Sequence, residues 1–303
     1  MSSRQTLTST DRLPLAIGSI VFAVFALAFG DAVIKEYSVG FGLWQIFVLR
    51  SLLALPVLVI IGTLILGGRA LLPRKWSWVI LRSAFLTCSW IAYYSSLPHL
   101  ELSVAAAVFY TIPMFITLFA ALFLGDRINQ FGWAAVVIGF LGVLIILRPS
   151  STSFNLALLL PLLAAIFYAL AMILTRSKCK SEPPLALSLG LNLVFIATGL
   201  SAMVWVSFSA DDTTGFLNSP WITMGKTEWI AMSVLAAAIL IGSIGAAIAY
   251  QNGPPSIIGV FDFSYVAFAV LWGLIFFGEV PDVWSVIGIS LICGAGILAS
   301  KYG

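Results

Sequence analysis

Residues 13–34 read LPLAIGSIVFAVFALAFGDAVI, a 22-residue run broken by one charge, Asp31. About 20 apolar residues at 1.5 Å rise each cross the ~30 Å of a bilayer's hydrocarbon. Nine comparable runs follow, at 42–66, 76–97, 103–124, 131–147, 156–175, 185–208, 229–249, 257–277 and 283–300. A single such run is also compatible with a buried core helix, but ten in succession are not. In lipid only helices and closed barrels satisfy the backbone. Continuous apolar runs lack the alternation of a barrel strand. The chain therefore reads as an all-α membrane protein with ten transmembrane helices.

Composition agrees. Of 303 residues 61% are hydrophobic and 9% charged, against about 25% charged in a soluble domain. A net charge of +3 gives no nucleic-acid surface. Cys88 and Cys293 fall in spans and Cys179 in a connection, with no spacing for a metal or a disulfide framework. The single histidine, His99, excludes a zinc site or a histidine triad. Walker, HExxH, GxSxG and Rossmann patterns are absent, so neither an enzyme, a cofactor nor nucleotide hydrolysis within this chain is expected. The expected partners are a small-molecule substrate and the bilayer, for a monomer or weak dimer. The polar stretch 1–11 leads into a first run without a cleavage signature, which reads as a retained helix.

Gly, Pro and polar residues mark tight connections: Gly67-Gly68, Pro98, Gly125-Asp126, Arg148-Pro149, Pro183-Pro184, Gly253-Pro254-Pro255 and Gly278-Glu279. The one long connection, 209–228, contains Asp211-Asp212, Asn218 and Pro220. With the N-terminus inside, inner segments hold Arg4, Arg12, Arg69, Arg74, Lys75, Arg127, Arg176, Lys178, Lys180 and Lys301, and outer ones only Lys35, Arg148 and Lys226. The positive-inside bias puts both termini in the cytoplasm of a multi-pass inner (plasma) membrane protein.

Leu118, Phe123, Gly125 and Asp126 recur as Leu271, Phe276, Gly278 and Glu279, each set closing a span before an aromatic-led one (Phe131 and Trp133; Trp284). The chain then divides into five-helix repeats at 1–149 and 150–303. An odd number of spans inverts the second copy, an arrangement that places a transporter's substrate site near the midplane.

Arg50 within Phe47-Val48-Leu49-Arg50, the Gly-acid ends of the fourth and ninth spans, and Phe167-Tyr168-Ala169-Leu170 with Thr175-Arg176 together resemble the drug/metabolite transporter superfamily, in its EamA branch. Length and layout are similar to an aromatic amino-acid exporter of that branch. Other members move threonine or homoserine, riboflavin or S-adenosylmethionine. The resemblance implies transport and leaves the substrate open: amino-acid export by alternating access, or exchange of flavin-type or nucleoside-like metabolites.

Charges at bilayer depth cost about 2.5–3.5 kcal/mol on insertion scales and are functional candidates. Arg50 can bind a carboxylate through its planar fork or pair structurally with Asp31. Asp262 can meet a substrate ammonium, carry a coupled proton or pair with a polar group at the cytoplasmic gate. Asp31 reads as structural or water-exposed, and Arg82 as an anchor reaching the inner headgroups. Trp90, Tyr93, Tyr94, Tyr110, Tyr168, Tyr250 and Tyr265 lie where a polar tip needs a partner; they line a substrate cavity or pack helices. Trp76, Trp78, Trp221, Trp229 and Trp284 suit an interfacial belt. Asn192 and Gln251 offer amides to a substrate or to neighbouring helices. Pro113 is a candidate hinge or a static kink, and Gly242 to Ala247 a stripe for close helix approach.

Overall fold

A computed structural model describes residues 12–37, 40–66, 71–119, 122–123, 130–147, 155–208, 216–253, 258, 261–262 and 264–302. The N-terminal 1–11, Gly67-Gly68, Gly125-Asp126, Arg148-Pro149 with the 149/150 repeat boundary, Asp211-Asp212 and Pro254-Pro255 lie outside the described residues. The helices are α1 (Leu13–Tyr37), α2 (Leu43–Leu66), α3 (Trp76–Ser96), α4 (Leu102–Phe109), α5 (Ile112–Phe119), α6 (Gln130–Leu147), α7 (Leu159–Ser177), α8 (Pro184–Phe208), α9 (Lys226–Asn252), α10 (Ser264–Phe277) and α11 (Val283–Tyr302). Among the described residues there is no strand. Among the described residues, five segments are long and apolar enough to cross a membrane: those of α1, α2, α8 and α9, and Leu156–Ser177.

The span expected at 103–124 is not one helix. Tyr110 leaves helical geometry (φ −76°, ψ 17°) and its N–H closes the last turn of α4 on Ala106. Thr111 then accepts from Met114 N–H at 3.0 Å and Phe115 N–H at 3.3 Å, starting α5. Pro113 sits in that first turn, where its missing N–H leaves no hydrogen bond unmade. The break precedes the proline and falls at bilayer depth, between two aromatic-rich turns.

Polarity is turned inside out. Phe22, Leu64, Trp205 and Phe208 are exposed, whereas Asp31, Arg50, Arg82 and Asp262 are buried. An apolar exterior is stable only against lipid. Trp76, Trp221, Trp229 and Trp284 are exposed near helix ends, as an interfacial belt requires. Small residues bring α1 and α9 together: a Cβ on Gly245 would stand 2.8 Å from that of Ala23, and one on Gly30 3.1 Å from that of Ala238. The stripe expected in the eighth span thus serves close approach to α1.

Hydrogen bonds show which connections share an end. At one end Arg12 N–H donates to Asn252, Glu182 accepts from Arg74 and Lys75, and Gln251 Nε2 donates to the Glu182 carbonyl at 2.7 Å. Lys178 and Lys180 lie in this 178–183 loop, so we call it the basic end. At the acidic end Leu43 N–H donates to Phe216, Asn155 to His99, and Lys35 pairs with Glu279.

Candidate functional site

Arg50 lies two turns into α2, 1% exposed. Its guanidinium carbon is 4.7 Å from the Phe47 ring centroid, 4.5 Å from Phe195 and 5.5 Å from Tyr94. Nη1 donates to Tyr94 Oη at 3.2 Å, while Nε and Nη2 are buried without a hydrogen-bond partner. The rings hold the cation in place. The two free nitrogens leave half of a carboxylate-binding fork open. A cavity of about 10 Å³, room for about one water, is walled by Arg50, Tyr94, Asp31, Gly30 and Leu235.

Of the two readings of Asp31, structural or water-exposed, the second is corrected. It is buried, not water-exposed, accepts from Tyr265 Oη and contacts the Tyr94 hydroxyl. It faces the same cavity as Arg50, but among the described residues the two form no ion pair: Tyr94 stands between them. Tyr265 also shares a 2.9 Å hydroxyl contact with Tyr93 and stacks on Tyr110 at 4.9 Å and 22°. Tyr110 in turn donates to Asp262 Oδ1 at 2.9 Å, and Tyr250 to Oδ2 at 2.7 Å. Trp90 packs on Tyr94 at 5.0 Å, and Tyr168 meets Phe109 edge-on at 5.6 Å. Arg50, Trp90, Tyr93, Tyr94, Tyr110, Tyr168, Tyr250, Asp262 and Tyr265 therefore form one connected cluster. It is built from α2, α3, the end of α4, α7, α9 and α10, and it is joined at the α4–α5 break.

Asn192 and Gln251 stand apart from it. Asn192 Nδ2 turns back to Ser188 O of its own helix at 2.9 Å, and its Oδ1 is buried without a partner. Gln251 ties α9 to the basic-end loop. Arg82 is a second correction: it does not reach headgroups but is buried, with Nε donating to Thr175 Oγ1 at 3.1 Å. Phe47, Phe109 and Phe195 complete the cluster; Phe195 went unnoticed in the sequence, because phenylalanine is common in every span.

A carboxylate ties connections together at each end. At the basic end Glu182, 2% exposed, accepts from Arg74 N–H at 2.8 Å and Lys75 N–H at 3.1 Å, just ahead of α3. At the acidic end Glu279 accepts from Leu102 N–H at 2.8 Å, the first residue of α4, and pairs with Lys35, which also donates to Leu100 O. Neither helix has a cap from its own N-cap side chain. In each case a carboxylate from the second half of the chain holds the start of a helix of the first: Glu279 caps the first residue of α4, and Glu182 binds the two residues that lead into α3. Glu101, beside the acidic-end pair, has its carboxyl raised by burial first and by Glu279 and Asp282 next. An opening of about 550 Å³ forms a surface groove along α9 beside Trp229 and Ile230, lined by none of the charged cluster.

An apolar helical bundle with four buried charged residues reads as a multi-spanning membrane protein. Residues 14–148 match the model of the EamA-like transporter family. The resemblance read from the motifs therefore holds. The pseudopaline exporter of Pseudomonas aeruginosa is 25% identical over 96% of this chain and 98% of its own. The riboflavin transporter of Brucella anthropi is 28% identical over 86% and 87%. The S-adenosylmethionine uptake transporter of Rickettsia prowazekii is 26% identical over 56% and 51%. A crystal structure 18% identical in sequence superposes with a TM-score of 0.68 over 96% of this chain and 98% of that one, which establishes the fold.

Proposed function

We propose that this protein is an inner-membrane secondary transporter that exports small amphipathic metabolites, amino acids above all, by alternating access. The observation that carries it is Arg50, buried, held by three rings, with two nitrogens unpaired. Burying such donors without a partner from the protein is unfavourable, and a ligand that satisfies them for part of the cycle offsets that cost. In this scheme Arg50 takes the substrate carboxylate, and Asp262 or Asp31 takes its ammonium in exchange for tyrosine hydroxyls. Trp90, Tyr94, Tyr110 and Tyr265 flank its side chain. Uptake or exchange of flavin-type or nucleoside-like metabolites is the second reading, favoured by the riboflavin and S-adenosylmethionine transporters among the relatives.

Packing supports ten spans in two inverted repeats, 1–149 and 150–303. Exchange α1 with α7, α2 with α8, α3 with α9, α4–α5 with α10 and α6 with α11. The pair α1–α9 then becomes α7–α3, α1–α10 becomes α7 with α4–α5, and α3–α8 becomes α9–α2, and each of these pairs is packed. The broken fourth span matches the discontinuous helices that such transporters place at their sites. In this scheme the basic end is cytoplasmic and holds both termini. Pro113 fixes the start of α5, about which the fourth span bends. The Glu182 and Glu279 caps are the two gates.

Counterflow in proteoliposomes tests this function. A labelled amino-acid panel is competed with riboflavin and S-adenosylmethionine. Amino-acid exchange resistant to both competitors is expected; exchange blocked by, or seen only with, either competitor moves the assignment to the second reading.

A further inference from the structure

Arg82 is the buried charge that this scheme leaves unused. It leaves α3 toward α7 and α8, where its Nη1 reaches the Leu187 carbonyl at 3.5 Å, the limit of a hydrogen bond. A guanidinium carries five donors. Both recorded acceptors are uncharged oxygens, and among the described residues Arg82 has no carboxylate partner. A permanent cation is an expensive means of joining three helices in lipid, since a neutral donor such as glutamine would serve Thr175 as well.

The side chain forms part of the wall of a cavity of about 20 Å³ with Trp90, Tyr168, Met172 and Ser243. Leu27 and Ile239 line both this cavity and the smaller one beside Arg50. Two guanidiniums thus flank an apolar septum, each beside its own small cavity and, among the described residues, neither in a salt bridge. Tyr94, to which Arg50 donates, is twelve residues beyond Arg82 on α3, a backbone rise of about 18 Å. Arg82 lies on the side of the septum nearer the basic end, six residues past the start of α3.

We propose that the Arg82 cavity is a second binding site for the substrate's carboxylate, occupied on the basic-end side of the Leu27–Ile239 septum before the substrate passes to Arg50. Its ligand class is a metabolite with a free carboxylate and an aromatic or apolar side chain. Arg82 supplies the fork, and Trp90 and Tyr168 supply ring faces. The path then carries two cationic stations, and opening it separates Leu27 from Ile239. This proposal rests on the carboxylate-binding function given above.

The test is initial-rate uptake of labelled L-phenylalanine, with L-phenylalaninamide as competitor, in inside-out and right-side-out membrane vesicles. Hydrogen bonds to charged partners imply an effect of about 10-fold or more. Arg82→Gln, which keeps a donor for Thr175, is expected to raise KM for phenylalanine about 10-fold in inside-out vesicles. KM in right-side-out vesicles should stay within about twofold, and the inhibition constant of the amide should not change. Arg82→Lys should recover most of the loss. A fall in maximal rate that is equal in both vesicle types and for both variants, with KM unmoved, makes Arg82 structural and overturns the second site alone. So does an unchanged KM in a variant whose Tm in detergent matches wild type. A wild-type protein that takes up no phenylalanine, or binds acid and amide alike, overturns the carboxylate function itself and this site with it.

Discussion

Removing Glu182 should open the basic end selectively, and a native cysteine can report it. Both Glu182 oxygens accept backbone N–H groups, at 2.8 and 3.1 Å, from the residues leading into α3. A side-chain cap is worth about 0.5–2 kcal/mol, and hydrogen bonds to a charged group about 1.5–3 kcal/mol. A net loss of about 1–2 kcal/mol in Glu182→Ala shifts the closed-to-open ratio about 5- to 30-fold. Cys179 lies in the same loop, is fully buried, and accepts Glu182 N–H at 3.0 Å through its carbonyl. Burial also pushes its thiol pKa up, which slows modification in the closed form. With Cys88 and Cys293 replaced by serine, the rate of maleimide modification of Cys179 tracks the open population. Glu182→Ala should raise that rate about 5- to 30-fold. Glu279→Ala, which loosens the acidic end, should leave it unchanged or lower it. A rise below twofold for Glu182→Ala, or equal acceleration by both variants at unchanged Tm, would refute the two-gate account.

Other perturbations follow from the same geometry. Gly245→Val places methyl groups against Ala23, where a Cβ alone already stands at 2.8 Å; about 1–3 kcal/mol of overpacking should lower Tm in detergent, whereas Gly18→Val, with open space around it, should not. Gly278 has φ +63°, so Gly278→Ala should destabilise by about 1 kcal/mol, read as a lower Tm with transport retained at low temperature. Asp262→Asn keeps an acceptor for Tyr110 or Tyr250 but loses the charge; it should abolish counterflow of zwitterionic substrates while leaving the detergent elution profile intact. Tyr94→Phe removes the bond to Arg50 at 3.2 Å and should raise substrate KM about 3- to 10-fold with little change in Tm.

The length of the apolar runs gave away the helices, because ~20 residues is a physical requirement of the bilayer and not a preference. The break at Tyr110-Thr111 was hidden. Pro113 drew attention to the span, but the interruption depends on tertiary contacts of Tyr110 with Asp262 and Tyr265. Charge within an apolar run pointed to Arg50 and Asp262. It also marked Asp31 and Arg82, whose distance from a span end wrongly put Arg82, and one of the two readings of Asp31, within reach of water. Depth along one helix does not say which face meets other helices, and both face inward. The amides failed for a related reason: Asn192 and Gln251 have local or loop carbonyls within reach, and single-chain spacing does not reveal them. The caps by Glu182 and Glu279 were invisible because each joins residues more than 100 positions apart.

The central claim is that Arg50 receives the substrate's carboxylate, and the most direct measurement is amino-acid counterflow in proteoliposomes with Arg50→Lys and Arg50→Ala beside wild type, each checked for folded protein. The account predicts exchange in wild type, a weakened activity with raised KM in Arg50→Lys, and none above background in a folded Arg50→Ala. Exchange by Arg50→Ala with the wild-type KM would contradict it and leave Arg50 as a cation held by rings for packing alone.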